Sequence, residues 1–337
     1  MSRSLKRVRD QELPDSWREW IASSRLQGFD DETIVEVMTK HGVLSEDAAW
    51  AAVRAFDGDP AFAVAQQFAA SAAKLEALLD VYQLLERMAP GSDCVERVAG
   101  ISEQDFLRDY YSRNRPVILT GMMDDWPAMT KWTPEFLRSR YGDEMVEVQF
   151  DRKTVPIADV YLEGHTREIR FGEYIDLVLA AGSTNEFYLT ANDRLLERPS
   201  MSALLEDFSF FPNLLDPAIV DGRMFLWFGP AGTISPLHRD KVNVLMTQVI
   251  GRKRVTLVSS NQLHRVYNET SFWSEVDAVS PDFEQFPRFA GVHRYEVLLE
   301  PGEALFLPVA WWHRVEALDI SINLSFTNFR FPNTFEF

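Results

Sequence analysis

A mainly β protein with helices, a jelly roll preceded by a small all-α module, is the fold class the sequence predicts. Two observations carry that expectation. After residue 220 the chain breaks into short apolar stretches, RMFLWFG, NVLMTQVI, KRVTLVS, RYEVLLE, EALFLPV and DISINLSFTNF, separated by Gly, Pro, Asn and Asp. Strands this short with no long helix between them suggest a double-sheet barrel. Residues 1–94 are different: they are Ala-rich, poor in β-branched runs, and carry helix-capping residues at regular intervals. A length of 337 residues also suits two domains at roughly 150 residues each. The expected division is a helical module over 1–94 and a second domain over 95–337.

The elements follow in order. Leu13-Pro14-Asp15-Ser16 caps a first helix through WREWIASSRL, and Asp30-Asp31-Glu32 opens a second that stops at Gly42. Ser45-Glu46-Asp47 opens a third. Asp59-Pro60 opens a long fourth, in which Leu75, Leu78, Leu79, Tyr82 and Leu85 recur at three- and four-residue steps to form an apolar stripe. Pro90-Gly91-Ser92 ends it. Beyond 95, Ser102–Tyr111 and Thr133–Arg140 read as helices. Arg115–Gly121 reads as a buried strand and Met145–Phe150 as another. The remaining strands are those of the barrel.

Composition narrows the function. Apolar residues are 46% and charged residues 25% of the chain, the proportions of a globular protein. Lys plus Arg number 34 against 51 Asp plus Glu, a net charge of −17. The first 94 residues carry −6 (ten basic, sixteen acidic), which leaves −11 for the rest. Such a surface repels phosphates, so nucleic acid is a disfavoured partner, and no membrane is expected to bind. A single cysteine, Cys94, allows no internal disulfide and no cysteine-built metal centre within one chain. No apolar run approaches the roughly 18 residues of a membrane span, and MSRSLKRVRD is followed by polar QELPDSWREW, not a leader core. The expected location is cytoplasmic.

His238 and Asp240, in SPLHRD beside a strand, stand two residues apart, so an extended backbone presents both to one side. Alone the pair says little: six histidines and 51 acidic residues give about one His-x-Asp/Glu by chance. His313, in PVAWWHRVEAL directly after EALFLPV, sits among bulky apolar neighbours and reads by itself as a core histidine. Together the three make two imidazoles and one carboxylate. That set covers one face of an octahedral Fe(II) and leaves three positions open, although zinc also accepts such N and O donors. Lys253, 15 residues after His238 and just past the Gly251-Arg252 turn, reads two ways. It is either an exposed member of the trio Arg252-Lys253-Arg254 or an ammonium inside the barrel, which is costly unless an anion meets it. Trp311 and Trp312 read equally as a wall against water and as core.

The segments WFGPAGTISPLHRD, QVIGRKR, VDAVSPDFEQFPRF and LEPGEALFLPVAWWHRVEALDISINLSF resemble the Jumonji C, or cupin-like, hydroxylase family. The branch most resembled is the one containing factor-inhibiting-HIF and its bacterial relatives. ERVAGISEQDFLRDYYSRNRPVILTGMMDDWPAMTKW resembles that family's entry segment, and the likeness covers residues 95–330. It implies a double-stranded β-helix using Fe(II) and 2-oxoglutarate, with His238, Asp240 and His313 as iron ligands and catalytic residues. It further implies Lys253 on the distal carboxylate of 2-oxoglutarate, with Ser235 and Tyr188 contacting the cosubstrate and Ser325 near its other end. Relatives place Asn six residues after the first histidine, where this chain has Val244; Asn243 is one position early and is assigned that contact if a bulge restores its direction. Some relatives dimerise through helices beyond the last strand. The chain ends at Phe337, soon after that strand, so the N-terminal helices are the expected route if the chain forms a homodimer.

The expected activity is hydroxylation of an amino-acid side chain in a peptide or protein substrate, with 2-oxoglutarate decarboxylated to succinate. The alternatives are a small metabolite or modified RNA base as substrate, lysine demethylation, and a binding module with a decayed site.

Overall fold

A computed structural model describes residues 13–153, 164–191, 194–269 and 272–335; the segment read above as lacking a leader core lies mostly outside them. The chain forms two compact units, Met1–Val81 and Tyr82–Phe337. The first contains α1 (Asp15–Leu26), α2 (Asp31–Lys40) and α3 (Glu46–Arg54), and α4 (Pro60–Met88) runs across the division. The composition shift near 94 falls just past the end of α4.

Within the first unit two of the expected caps form by side chain, while the starts of α1 and α3 make no side-chain cap bond. The Asp30 carboxylate accepts from Thr33 N at 2.7 Å, and Asp59 Oδ1 accepts from Ala61 N at 2.7 Å. Ile21, Ile34, Val35, Met38, Ala49 and Val53 form a small core. The stripe on α4 is different: Leu75, Leu78, Tyr82 and Leu85 are 63, 48, 51 and 55% exposed.

The second unit begins with β1 (Glu96–Ala99), α5 (Glu103–Phe106) with a π-helical turn over Leu107–Tyr111, and β2 (Val117–Thr120). It continues with α6 (Ala128–Lys131), α7 (Pro134–Tyr141), β3 (Met145–Gln149), β4 (Thr166–Arg170) and α8 (Phe171–Ala180). Eight strands then follow: β5 (Met224–Gly229), β6 (Ile234–Arg239), β7 (Val244–Ile250), β8 (Lys253–Val258), β9 (Tyr295–Leu299), β10 (Ala304–Leu307), β11 (Trp312–Ala317) and β12 (Ser321–Phe326). They form the two facing sheets of a jelly roll. One sheet has the order β1-β2-β10-β7-β12-β5, the other β6-β11-β8-β9. Each sheet alternates strands from the two halves of the run, and every pairing among the eight is antiparallel.

Strand alternation sorts the side chains into layers. On the larger sheet Leu226, Phe228, Leu245, Val249, Leu324 and Phe326 point outward and pack under the helices. Met246, Leu305 and Leu307 point inward and meet Val255, Leu257 and Val297 of the smaller sheet. The turn between β7 and β8 needs Gly251: its φ is +69°, and a Cβ there would lie 2.2 Å from the Ile320 carbonyl oxygen.

The entry motif DWPAMTKW has a structural task. Trp126 stacks on Phe211 at 5.4 Å, and buried Asp207 accepts from Trp132 Nε1 at 2.8 Å and Lys131 Nζ at 2.6 Å. Asp207→Ala should lower unfolding stability by about 2–3 kcal/mol in urea, because it strands a buried indole N–H and unpairs a lysine. Asp207→Asn, which keeps an acceptor, should cost less than half of that; equal losses would show that the cavity and not the hydrogen bonds sets the effect.

Candidate active site

The site is built from one cross-strand pair. β6 and β11 run antiparallel with His238 directly opposite His313, which brings the ring centroids to 4.1 Å. Asp240 follows two residues after His238, just past the end of β6, where its backbone carbonyl accepts from Ala310 N at 3.1 Å. Ligand atoms of His238, Asp240 and His313 all lie within 4.8 Å of one another. Among the described residues these three form the group able to hold a metal.

Both imidazoles are oriented from behind. His238 Nδ1 is 2.7 Å from Pro236 O, and His313 Nδ1 is 3.1 Å from Trp311 O. A carbonyl only accepts, so each Nδ1 carries the proton and each Nε2 keeps a free lone pair. Burial, with His238 as a second cause, pushes the His313 pKa down to about 4, so the ring is neutral near pH 7. His313 Nε2 and Asp240 Oδ2 are 3.6 Å apart, too far for a hydrogen bond. Two atoms each roughly 2.1 Å from a common ion can stand up to about 4.2 Å apart, so this gap suits an ion between them. The Trp273 ring lies on His238 at 4.5 Å and 21°, and its backbone bridges His238.

Lys253 lies inside the barrel. It pairs with Ala317 of β11, four residues from His313 and on the same face, which sets the two about 13 Å apart along the strands at roughly 3.3 Å per residue. Its side chain is 3% exposed, and burial lowers its pKa to about 7. Nζ donates to Tyr188 Oη at 3.2 Å and to Asn323 Oδ1. Among the described residues no carboxylate pairs with it. A buried cation without an anion is expensive, so the site is built to receive one. The cavity between metal triad and ammonium is about 420 Å³ and is lined by His238, Asp240, His313, Lys253, Tyr188, Ser235 and Ser325, with Phe225, Trp227, Met246 and Val315 as apolar walls. Iron(II) fits the N, N, O donor set and its open side. A keto acid that carries a second carboxylate suits a cavity lined by the metal triad and by an ammonium.

Most of the residues named from the sequence therefore meet in one cavity. Asn243 does not. The register of β7 against β10 is regular, with Leu307 opposite Val244, so no bulge turns Asn243 inward. Val244 lines the cavity instead. The Asn243 side chain accepts from Val309 N at 2.7 Å and donates to Asn333 Oδ1 at 3.0 Å, a structural role. Trp311 and Trp312 also pack away from the cavity, in the cores between and outside the sheets. Asn323, which shares its face with Ser325 two residues on, was not singled out in the sequence, nor were Gln149, Thr190 and Trp273. Gly229 makes room for Tyr188: a Cβ there would lie 2.6 Å from its ring.

A family model described as a cupin-like domain matches residues 103–333. The chain belongs to this family. Proteins named for a Jumonji C domain are among the relatives it matches. It is 31% identical over 229 residues to lysine-specific demethylase 8 of Xenopus tropicalis, covering 66% of this chain and 50% of that protein. It is 32% identical over 246 residues to lysine-specific demethylase JMJ30 of Arabidopsis thaliana, covering 69% and 54%. It is 29% identical over 244 residues to tRNA wybutosine-synthesizing protein 5 of Gallus gallus, covering 68% and 76%. The chain thus spans about half the length of these demethylases.

Proposed function

We propose that this cupin-like chain is an Fe(II)- and 2-oxoglutarate-dependent oxygenase that hydroxylates an amino-acid side chain of a peptide or protein. The observation that carries the reading is the facing pair His238 and His313, with Asp240, opening onto a cavity that ends in the buried Lys253 ammonium. When bound, iron and 2-oxoglutarate supply the oxidation: one atom of dioxygen enters succinate as carbon dioxide leaves, and the other enters a substrate C–H bond.

The chain's own residues do the positioning. Lys253 and Tyr188 hold the distal carboxylate through charge-assisted and hydroxyl hydrogen bonds. Phe225, Trp227, Met246 and Val315 exclude water from the ligand's middle. Trp273 keeps the His238 ring in plane with its carbonyl acceptor. A polypeptide substrate is favoured by the net charge of −17, which attracts basic segments and repels phosphate, and by relatives named as lysine-specific demethylases. A modified RNA base is the second reading, favoured by the relatives named as tRNA wybutosine-synthesizing proteins.

Incubation of the iron-loaded chain with 2-oxoglutarate and either a peptide library or bulk tRNA separates these readings. Succinate release should rise with peptide, and one peptide should gain the mass of one oxygen atom. Loss of a methyl group from a methylated lysine would change the product to demethylation. Coupled turnover with tRNA alone would overturn the polypeptide assignment.

A further inference from the structure

We infer that Gln149 is a third donor to the distal carboxylate of the cosubstrate, aimed by Arg152; this rests on the 2-oxoglutarate reading above. Gln149, at the end of β3, and Tyr188 exchange both backbone hydrogen bonds, each at 3.0 Å. They are therefore directly opposed in an antiparallel pairing, and their side chains leave the sheet side by side on one face. Tyr188 Oη reaches Lys253 Nζ on that face. Gln149 lines the same cavity and is 2% exposed.

The direction of its amide follows from its neighbour. Arg152 Nη1 donates to Gln149 Oε1. A guanidinium has no acceptor, so the amide atom facing it must be the oxygen, and the NH2 must turn the other way. Arg152 is itself held: Nη2 donates to Ile234 O at 2.7 Å, Nε to Asn185 Oδ1 at 3.4 Å, and the guanidinium lies 5.5 Å from the Tyr188 ring centroid. Gln149 Nε2 has no hydrogen-bond partner although it is buried. A buried amide donor left unpaired is costly and uncommon in a folded chain. One that lines the same cavity as an ammonium with no carboxylate partner among the described residues finds its partner when an anion enters. Lys253, Tyr188 and Gln149 then share the oxygens of one carboxylate, and Gln149 selects for a ligand that carries that group.

The test is a binding cycle that needs no turnover. Gln149→Glu keeps an oxygen for Arg152, so the fold is retained, but it removes the NH2 and aims a carboxylate oxygen at the ligand. Calorimetry on the iron-loaded protein without oxygen compares 2-oxoglutarate with 2-oxovalerate, which keeps the keto acid and lacks the distal carboxylate. The variant should bind 2-oxoglutarate about 10- to 100-fold more weakly, the range for a lost hydrogen bond to a charged group. It should bind 2-oxovalerate as the wild type does. Equal affinity of both proteins for 2-oxoglutarate, or an equal loss with both ligands, would overturn the inference. If the wild type bound neither, the cosubstrate reading itself would fail, which is a separate outcome. Gln149→Met, uncharged and without the donor, should show a smaller loss confined to 2-oxoglutarate.

Discussion

Asp240→Ala should abolish iron binding and substrate-coupled succinate release while leaving the unfolding midpoint unchanged. The Asp240 side chain is 37% exposed and, among the described residues, its carboxylate makes no hydrogen bond that holds the fold, so little stability depends on it. Its removal leaves two imidazoles and no carboxylate to balance a divalent cation. Losing even a hydrogen-bond partner of a metal ligand costs 10–100-fold in affinity, so losing the carboxylate itself should cost more than about 100-fold. Inductively coupled plasma analysis of the purified variant, beside circular dichroism melting, measures both halves. Retained iron would mean that the metal sits elsewhere.

Lys253→Met should act in opposite directions on ligand binding and on stability. Truncating one partner of a buried charge pair commonly weakens binding by roughly 30-fold or more, and 2-oxoglutarate should show that loss. The unliganded protein should instead become more stable. Lys253 has its pKa lowered by burial from 10.5 to about 7, so the unfolded chain holds a proton that the folded chain releases in between. Stability from this group therefore rises with pH from about 7 to about 10.5, and its cost is greatest below pH 7. Methionine removes that cost and the pH dependence together. The same shift governs ligand affinity in the wild type. Below pH 7 the ammonium is present when 2-oxoglutarate arrives; above it each pH unit should weaken binding by about tenfold, since a proton must be taken up. Calorimetry at pH 8 in two buffers of different ionisation enthalpy reads that proton directly. An unchanged affinity between pH 7 and 9 would show that Lys253 stays charged without a ligand.

The parts of the site that could be read from residues alone are those whose neighbours constrain them. His313 stands out because ALFLPVAWW before it is an unbroken apolar run, and β10 and β11 are indeed buried. The strand carrying His238 was harder to see. ISPLHR has a proline and no clean alternation, and it forms β6 because that strand lies at the sheet edge, where a missing backbone N–H is tolerated. Asn243 went wrong by a single position, and in a strand one position means the other face. Gln149, Trp273 and Asn323 carry no pattern of their own. Gln149 matters because β3 happens to meet Tyr188, and Trp273 because its segment runs along the free edge of β6. Such pairings join stretches far apart in the chain, and no local periodicity records them. The composition change near 94 follows the end of the helix α4, whereas the two compact units divide by contacts part-way along it.

The most direct measurement is an anaerobic titration of the chain with Fe(II) in the presence of 2-oxoglutarate, followed by its weak visible charge-transfer absorption. That band requires metal, keto acid and protein ligands in one place. The wild type should develop it and saturate at a single iron per chain, and Asp240→Ala and Lys253→Met should not develop it under the same conditions. A wild-type protein that takes up iron and 2-oxoglutarate without the band, or a band that survives Asp240→Ala, would contradict the account.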